Sequence, residues 1–283
     1  MFQSRLSRVF KKNSIFLYAG FFIFTIIILT PVYWMARSSI ANAADLYKTP
    51  LIYFPSPSLA NFNMLMTQVP LFQYVRNSLI FALATTTATL LVSFMAAYAF
   101  ARIKFPGSGI LMWVLVLSTA LPDIGTIVPL YQLLKNLHLL DTIAGITLIL
   151  CSALAPFTVW ALISFIKQIP YEIEEAAIID GASLPRIIWH ILLPVTLPGL
   201  VTMGLINFIN AWNNLLYPLS FTTSNTSKTL SVAITEIYNA YSPYGKPWEL
   251  IMTVGVAMTI PIVILVLFSQ RAIIRGLVSG AIK

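Results

Sequence analysis

An all-α integral membrane protein with six transmembrane helices is the fold class this sequence predicts, on three observations. Of its 283 residues 58% are hydrophobic and 9% charged, where a soluble domain carries about 25% charged. Its mean hydropathy is +0.86. Six apolar runs, each near the ~20 residues a bilayer-crossing helix needs, recur along the chain. Between the fourth and fifth lies YEIEEAAIIDGASLPRIIWHILLP, residues 171–194, which packs more carboxylates between apolar runs than any other connection.

Taken in order, residues 1–13 carry Arg5, Arg8, Lys11 and Lys12 and no acid, and read as a basic segment ahead of the single membrane domain 14–283. The first span runs from about Ile15 to Met35, too long for a signal-peptide core and without a small-residue cleavage site after it, so it is expected to be retained. Residues 38–74, with Pro50, Pro55, Pro57 and Pro70, read as a partly ordered loop. The second span, about Ser78 to Phe100, centres on ATTTATLLVSFMAAYA, whose small and hydroxyl residues let membrane helices approach closely. The third, about Ile110 to Leu130, contains Pro122, Asp123 and Gly125 and is predicted to be bent or interrupted. The fourth runs from about Ile143 to Ile166. The fifth, about Leu197 to Leu219, holds Asn207, Asn210, Trp212, Asn213 and Asn214. A polar loop, 221–248, precedes the sixth span, about Leu250 to Phe268, and a basic tail, 270–283.

The 167–196 connection is predicted to be a helix–turn–helix outside the bilayer. Pro170 suits a helix start, and Glu172, Glu174 and Glu175 crowd the first turn, where the helix dipole favours carboxylates. Gly181 is a natural helix stop. Ser183 is expected to cap a second short helix over Leu184–Leu192, with Pro194 and Pro198 breaking the chain before the next span.

Even span number puts both termini on one side, and basic residues decide which. Eleven of the seventeen lysines and arginines fall on the side that holds the termini and residues 167–196, and six on the other. The richer side is predicted to be cytoplasmic. The net charge of +8 therefore reports topology, not nucleic-acid binding. The sole cysteine, Cys151, excludes an intrachain disulfide. No phosphate-loop pattern occurs; FPGSG at 105–109 lacks the following lysine, and His138 and His190 form no metal set. No catalytic constellation is visible in the sequence.

The spaced pattern Glu175-Ala176-Ala177, Gly181, Ile191 and Leu193-Pro194 resembles the EAA loop of the membrane subunits of ATP-binding-cassette importers. The resemblance implies the type I importer permease fold, with this loop as the cytoplasmic coupling element. Glu175 would meet a basic residue of an ATPase subunit and Gly181 would set the turn, while Asp180 is either a further contact or simply a turn residue. It also implies the partners: a second homologous permease subunit, two ATPase subunits that carry ATP and magnesium, and an extracytoplasmic binding protein. No cofactor is expected on this chain, and its setting would be a bacterial or archaeal cytoplasmic membrane. The segments NSLIFALATTTATLL, VPLYQLLKNLHLLDT, NAWNNLLYPLSF and SQRAIIRGLVSGAIK look most like the carbohydrate branch, which includes the maltose transporter. That branch often has an acid after Trp-Asn, where this chain has Asn214.

Asn210, Trp212, Asn213, Asn214 and Tyr217 offer the amides and aromatic faces that sugars use, or else an interfacial belt with amides toward water. Asp123 is either an intramembrane functional charge or a water-exposed residue at a helix break. Rival readings are a permease of the same fold for a non-sugar solute and an ion-coupled secondary transporter, which would carry buried charges across several spans.

Overall fold

The computed structural model describes the backbone of residues 2–46, 48–239 and 245–281, and the side chains of 16–46, 48–239 and 245–270. The side chains of the basic segment 1–13 and of Arg271 and Arg275, and all of Lys283, lie outside that set. Among the described residues every regular element is a helix: α1 Phe2–Ile40, α2 Ala43–Leu46, α3 Ala60–Gln68, α4 Leu71–Arg102, α5 Ser108–Ser118, α6 Asp123–Asn136, α7 Ile143–Lys167, α8 Glu172–Ile179, α9 Leu184–Arg186, α10 Leu193–Asn213, α11 Leu216–Phe221, α12 Leu230–Tyr238 and α13 Trp248–Ala281. Five stretches are long and apolar enough to cross a membrane, and the α5–α6 pair, bent by 102°, makes a sixth if it is one span.

The chain divides into two compact units, 1–69 with 236–257, and 70–235 with 258–283. In the first, the segment read as a loop is held by side chains that satisfy its backbone. The buried Arg37 donates to the Ile52 carbonyl and lies over the Trp34 ring, and Asn61 donates to the carbonyls of Ser39 and Ala41 at 2.9 and 2.7 Å. Along α1, by contrast, residues such as Phe16, Phe21, Ile27 and Leu29 are exposed, as suits lipid or another membrane subunit.

In the second unit α4, α7 and α10 pack together. Phe94, Leu162, Ile166, Leu192 and Met203 sit in one buried cluster with Ala177 of α8. Lipid is as apolar as these side chains, so close fit drives this packing. Gly199 lies where a Cβ would come within 2.6 Å of the Phe165 ring. Buried Asn207 and Thr158 join α10 to α7 across 3.2 Å.

Hydrogen bonds fix which helix ends lie together. Tyr74, Asn77 and Ser78, at the start of α4, bond to Asn225, to the carbonyls of Asn225 and Lys228, and to the Leu230 N–H. Asp141, just before α7, accepts from the Thr223 and Ser224 N–H groups at 2.8 and 3.0 Å and from the Ser227 hydroxyl. The starts of α4 and α7 thus meet at one end. Arg102 at the end of α4 donates to the Ile169 carbonyl, just past α7, at the other. The α5–α6 pair connects the end of α4 to the start of α7, so it traverses the unit as a broken span and does not return to its own side.

Three expectations change. The second span starts at Leu71, not Ser78, because Gln73, Arg76 and Asn77 break the apolar run without breaking the helix; Asn77 turns inward to the 225–228 loop. Within 38–74 and 221–248, α2, α3 and α12 form. Ser183 makes no side-chain cap; its segment passes from α9 through a π-helical turn, Ile187–Leu192, directly into α10. Pro194 directly follows that π-helical turn at the start of α10, and Pro198 is carried inside the helix while Thr202 Oγ1 donates to its carbonyl.

Candidate functional site: an exposed coupling helix and a polar cavity

Two features bear function. The first is α8. Its start is dipole-favourable, with Glu172, Glu174 and Glu175 in the first turn. Its end is closed by Gly181 at φ +77, with the Ala182 N–H reaching the Ala177 carbonyl at 2.9 Å and the Gly181 N–H the Ile178 carbonyl at 3.0 Å. That is a Schellman ending, which favours a residue tolerant of the left-handed region. Asp180 occupies the cap position, exposed.

The helix divides its neighbouring carboxylates between two environments. Glu175, Ala176 and Asp180 are exposed, and Ala177 is buried. Glu174 is 1% exposed and meets Arg102 Nε at 2.6 Å, with the Tyr98 hydroxyl at 3.4 Å. Arg102 is further fixed by the Ile169 carbonyl at 2.8 Å and sits over the Tyr171 ring. Nothing in the EE dipeptide at 174–175 marks this joint between α8 and α4: successive helix positions differ by about 100°, which lets both carboxylates face solvent.

The second feature is a cavity of about 370 Å³ bounded by α5, α6, α7, α10 and α11. Its lining brings together Asp123, Asn210, Asn214 and Tyr217. Tyr217 is 2% exposed and donates its hydroxyl to Asp123 Oδ1 at 3.0 Å. Asn214 ends α10 and accepts the Tyr217 N–H at 3.1 Å through Oδ1. Trp212 and Asn213 do not line it. Trp212 is buried, stacks on Phe208 and donates to the Met258 carbonyl at 2.9 Å; Asn213 is exposed elsewhere. Ser118, Thr119, Thr126 and Ser152 complete the polar lining. These four come from three helices, and nothing in their spacing along the chain marks them as neighbours.

The family model described as binding-protein-dependent transport system inner membrane component matches residues 88–279, which include α8 and the whole cavity. The chain belongs to this family. It is a membrane permease component of an ATP-binding-cassette importer, a class in which ATP hydrolysis resides in separate subunits. Among related sequences, the sulfoquinovosyl glycerol transport system permease protein of Agrobacterium fabrum is 31% identical over 90% of this chain and 89% of its own. The trehalose/maltose transport system permease protein of Thermococcus litoralis is 33% identical over 95% and 96%. A solved bacterial importer of the acidic polysaccharide alginate shares the fold, with a TM-score of 0.80, 18% identity, and coverage of 93% of this permease and 97% of that chain.

Proposed function

We propose that this permease carries sugars or polyols across the cytoplasmic membrane of a bacterium or archaeon by alternating access, paired with a second, homologous permease subunit. The relatives named for trehalose, maltose and other saccharides support the substrate class, and the amide- and hydroxyl-lined cavity suits it. An extracytoplasmic binding protein would deliver the sugar, and two ATPase subunits holding ATP and magnesium would drive the cycle.

The observation that carries the coupling role is the division of α8: Glu175 exposed at the end of the bundle, while Glu174 and Ala177 anchor the helix to α4 and the core. A helix that is rigidly held and presents a free carboxylate suits docking against a basic partner surface. The distribution of basic residues, eleven of seventeen on the α8 side, supports a cytoplasmic α8 and cytoplasmic termini. A partner whose two shapes prefer different permease states then biases those states.

The test is co-purification with candidate ATPase subunits, with sugar-dependent ATP hydrolysis read on the same samples. The unaltered chain is expected to recruit the ATPase. Glu175→Ala is expected to weaken recruitment or to uncouple hydrolysis from sugar, by roughly tenfold if one charge-assisted contact is lost. Failure of the unaltered chain to recruit any ATPase subunit, or an unchanged Glu175→Ala variant, would overturn the coupling role given to α8 and Glu175.

A further inference from the structure

The cavity's hydrogen-bonding polarity is one-sided. The hydroxyls of Ser118, Thr119, Thr126 and Ser152 each donate to a carbonyl three residues back on their own helix, at 2.7 to 2.8 Å. A hydroxyl has one proton and two lone pairs, so each of the four now offers the cavity only an acceptor. Asn210 donates through Nδ2 to the Ile206 carbonyl at 2.8 Å, which leaves its Oδ1. The Tyr217 hydroxyl spends its proton on Asp123. Asn214, whose Oδ1 is taken, contributes a donor through Nδ2.

Asp123 is the one charged residue in this lining, and the ion pairs among the described residues, Lys48–Asp45 and Arg102–Glu174, lie elsewhere. The cavity is therefore rich in acceptors and carries a carboxylate with no cation beside it. At about 370 Å³ it lies at the lower end of the ~300–1,000 Å³ range of small-molecule sites.

We infer that this cavity is a subsite for the donating hydroxyls of an uncharged sugar, and that Asp123, oriented by Tyr217, makes it reject anionic sugars. The inference rests on the sugar reading and sharpens it. A neutral polyol supplies one O–H donor per hydroxyl and meets the acceptors one for one. A carboxylate or sulfonate supplies none at its charged group, and approaches the like charge of Asp123, which is exposed in the cavity wall. A group that offers no donor forgoes these contacts, and its charge set beside Asp123 adds a repulsion that salt screens at an exposed site.

The test uses the complete complex of permease pair, ATPases and binding protein in lipid vesicles. Cys151→Ala removes the native thiol and Ala153→Cys places one in the cavity wall. Its rates of modification by cationic and anionic methanethiosulfonates of similar size are compared with those of free cysteine. The cationic reagent is expected to gain roughly tenfold over its ratio on free cysteine, and Asp123→Asn to abolish that gain. Trehalose is expected to slow modification, and the matching uronic acid at equal concentration to leave it unchanged. Equal protection by the two sugars, or a ratio equal to that of free cysteine, overturns the subsite. Uptake on the same vesicles separates the two ideas: a complex that hydrolyses ATP but imports no neutral sugar overturns the sugar reading itself, whereas one that imports sugar while both probes protect equally overturns the subsite alone.

Discussion

At the scale of single residues, Asp141 shows what one carboxylate does when backbone donors converge on it. It stands in the loop before α7 with φ 56, a left-handed conformation that Asp tolerates better than most residues. Burial opposes its ionisation, but the Ser224 N–H, the Ser227 hydroxyl and the Thr223 N–H outweigh that and hold the carboxyl below the ordinary carboxylate range. A group whose folded pKa is depressed contributes stability that is fully present above its unfolded pKa, near ~3.9, and is lost as pH falls through the folded value. Thermal stability in detergent is therefore expected to be flat in this contribution from neutral pH to about pH 5 and to fall steadily below about pH 4. Asp141→Asn keeps an acceptor oxygen but loses the charge-assisted part of three bonds, about 1.5–3 kcal/mol in all. It should melt lower at pH 7 and converge with the unaltered chain as the pH is taken below 4. Parallel melting curves at every pH would show that the bonds do not depend on the charge.

At the scale of elements, the contact between α8 and α4 is the one most exposed to test. Glu174 and Arg102 are almost wholly removed from water, so removing either partner strands a buried charge, at about 3–5 kcal/mol. Arg102→Met and Glu174→Met are each expected to lower the melting temperature sharply, while the paired change recovers most of it, since well-packed apolar groups can replace a buried ion pair. If the pair also transmits motion, sugar imported per ATP hydrolysed should stay reduced in the recovered double variant; full recovery of both quantities would make the pair purely structural. What the sequence disclosed follows the same division. Local chemistry was legible: the left-handed Gly181, the acidic first turn of α8, and the break at Pro122 before Asp123 all sit where short-range rules put them. Long-range partners were not. The sequence shows Glu174 and Glu175 as equivalent neighbours, and the side chain that separates their roles lies 72 residues away. Likewise Asn210, Asn214 and Tyr217 are readable as one polar segment, whereas Ser118 and Ser152 join them only through the packing of α5 and α7. The same holds at Pro194, where a π-helical turn with Ile187 and Leu192 buried leads directly into α10.

For the whole molecule, the question that ties fold to function is which end faces the ATP. Within the unit 70–235 with 258–283, the loops at 141 and 223–230 meet at one end, while Arg102, Ile169 and α8 lie at the other. That arrangement requires α5–α6 to cross as one broken span, and it makes sidedness testable with two thiols. In a Cys151→Ala background, Thr226→Cys is expected to react with an impermeant maleimide in intact cells. Asp180→Cys should react only after permeabilisation or in inverted vesicles. Both positions are exposed, so access and not burial decides the result. The opposite pattern would place the basic-rich side outward, against the rule that lysines and arginines collect in cytoplasmic loops, and would put Glu175 where no ATPase subunit reaches it. Labelling of both positions from the same side would overturn the crossing of α5–α6 instead, because a pair that returns to its own side moves the start of α7, and with it the 223–230 loop, onto the α8 face. The two failures leave different signatures, so one pair of thiols tests the direction of the permease and the number of its crossings separately.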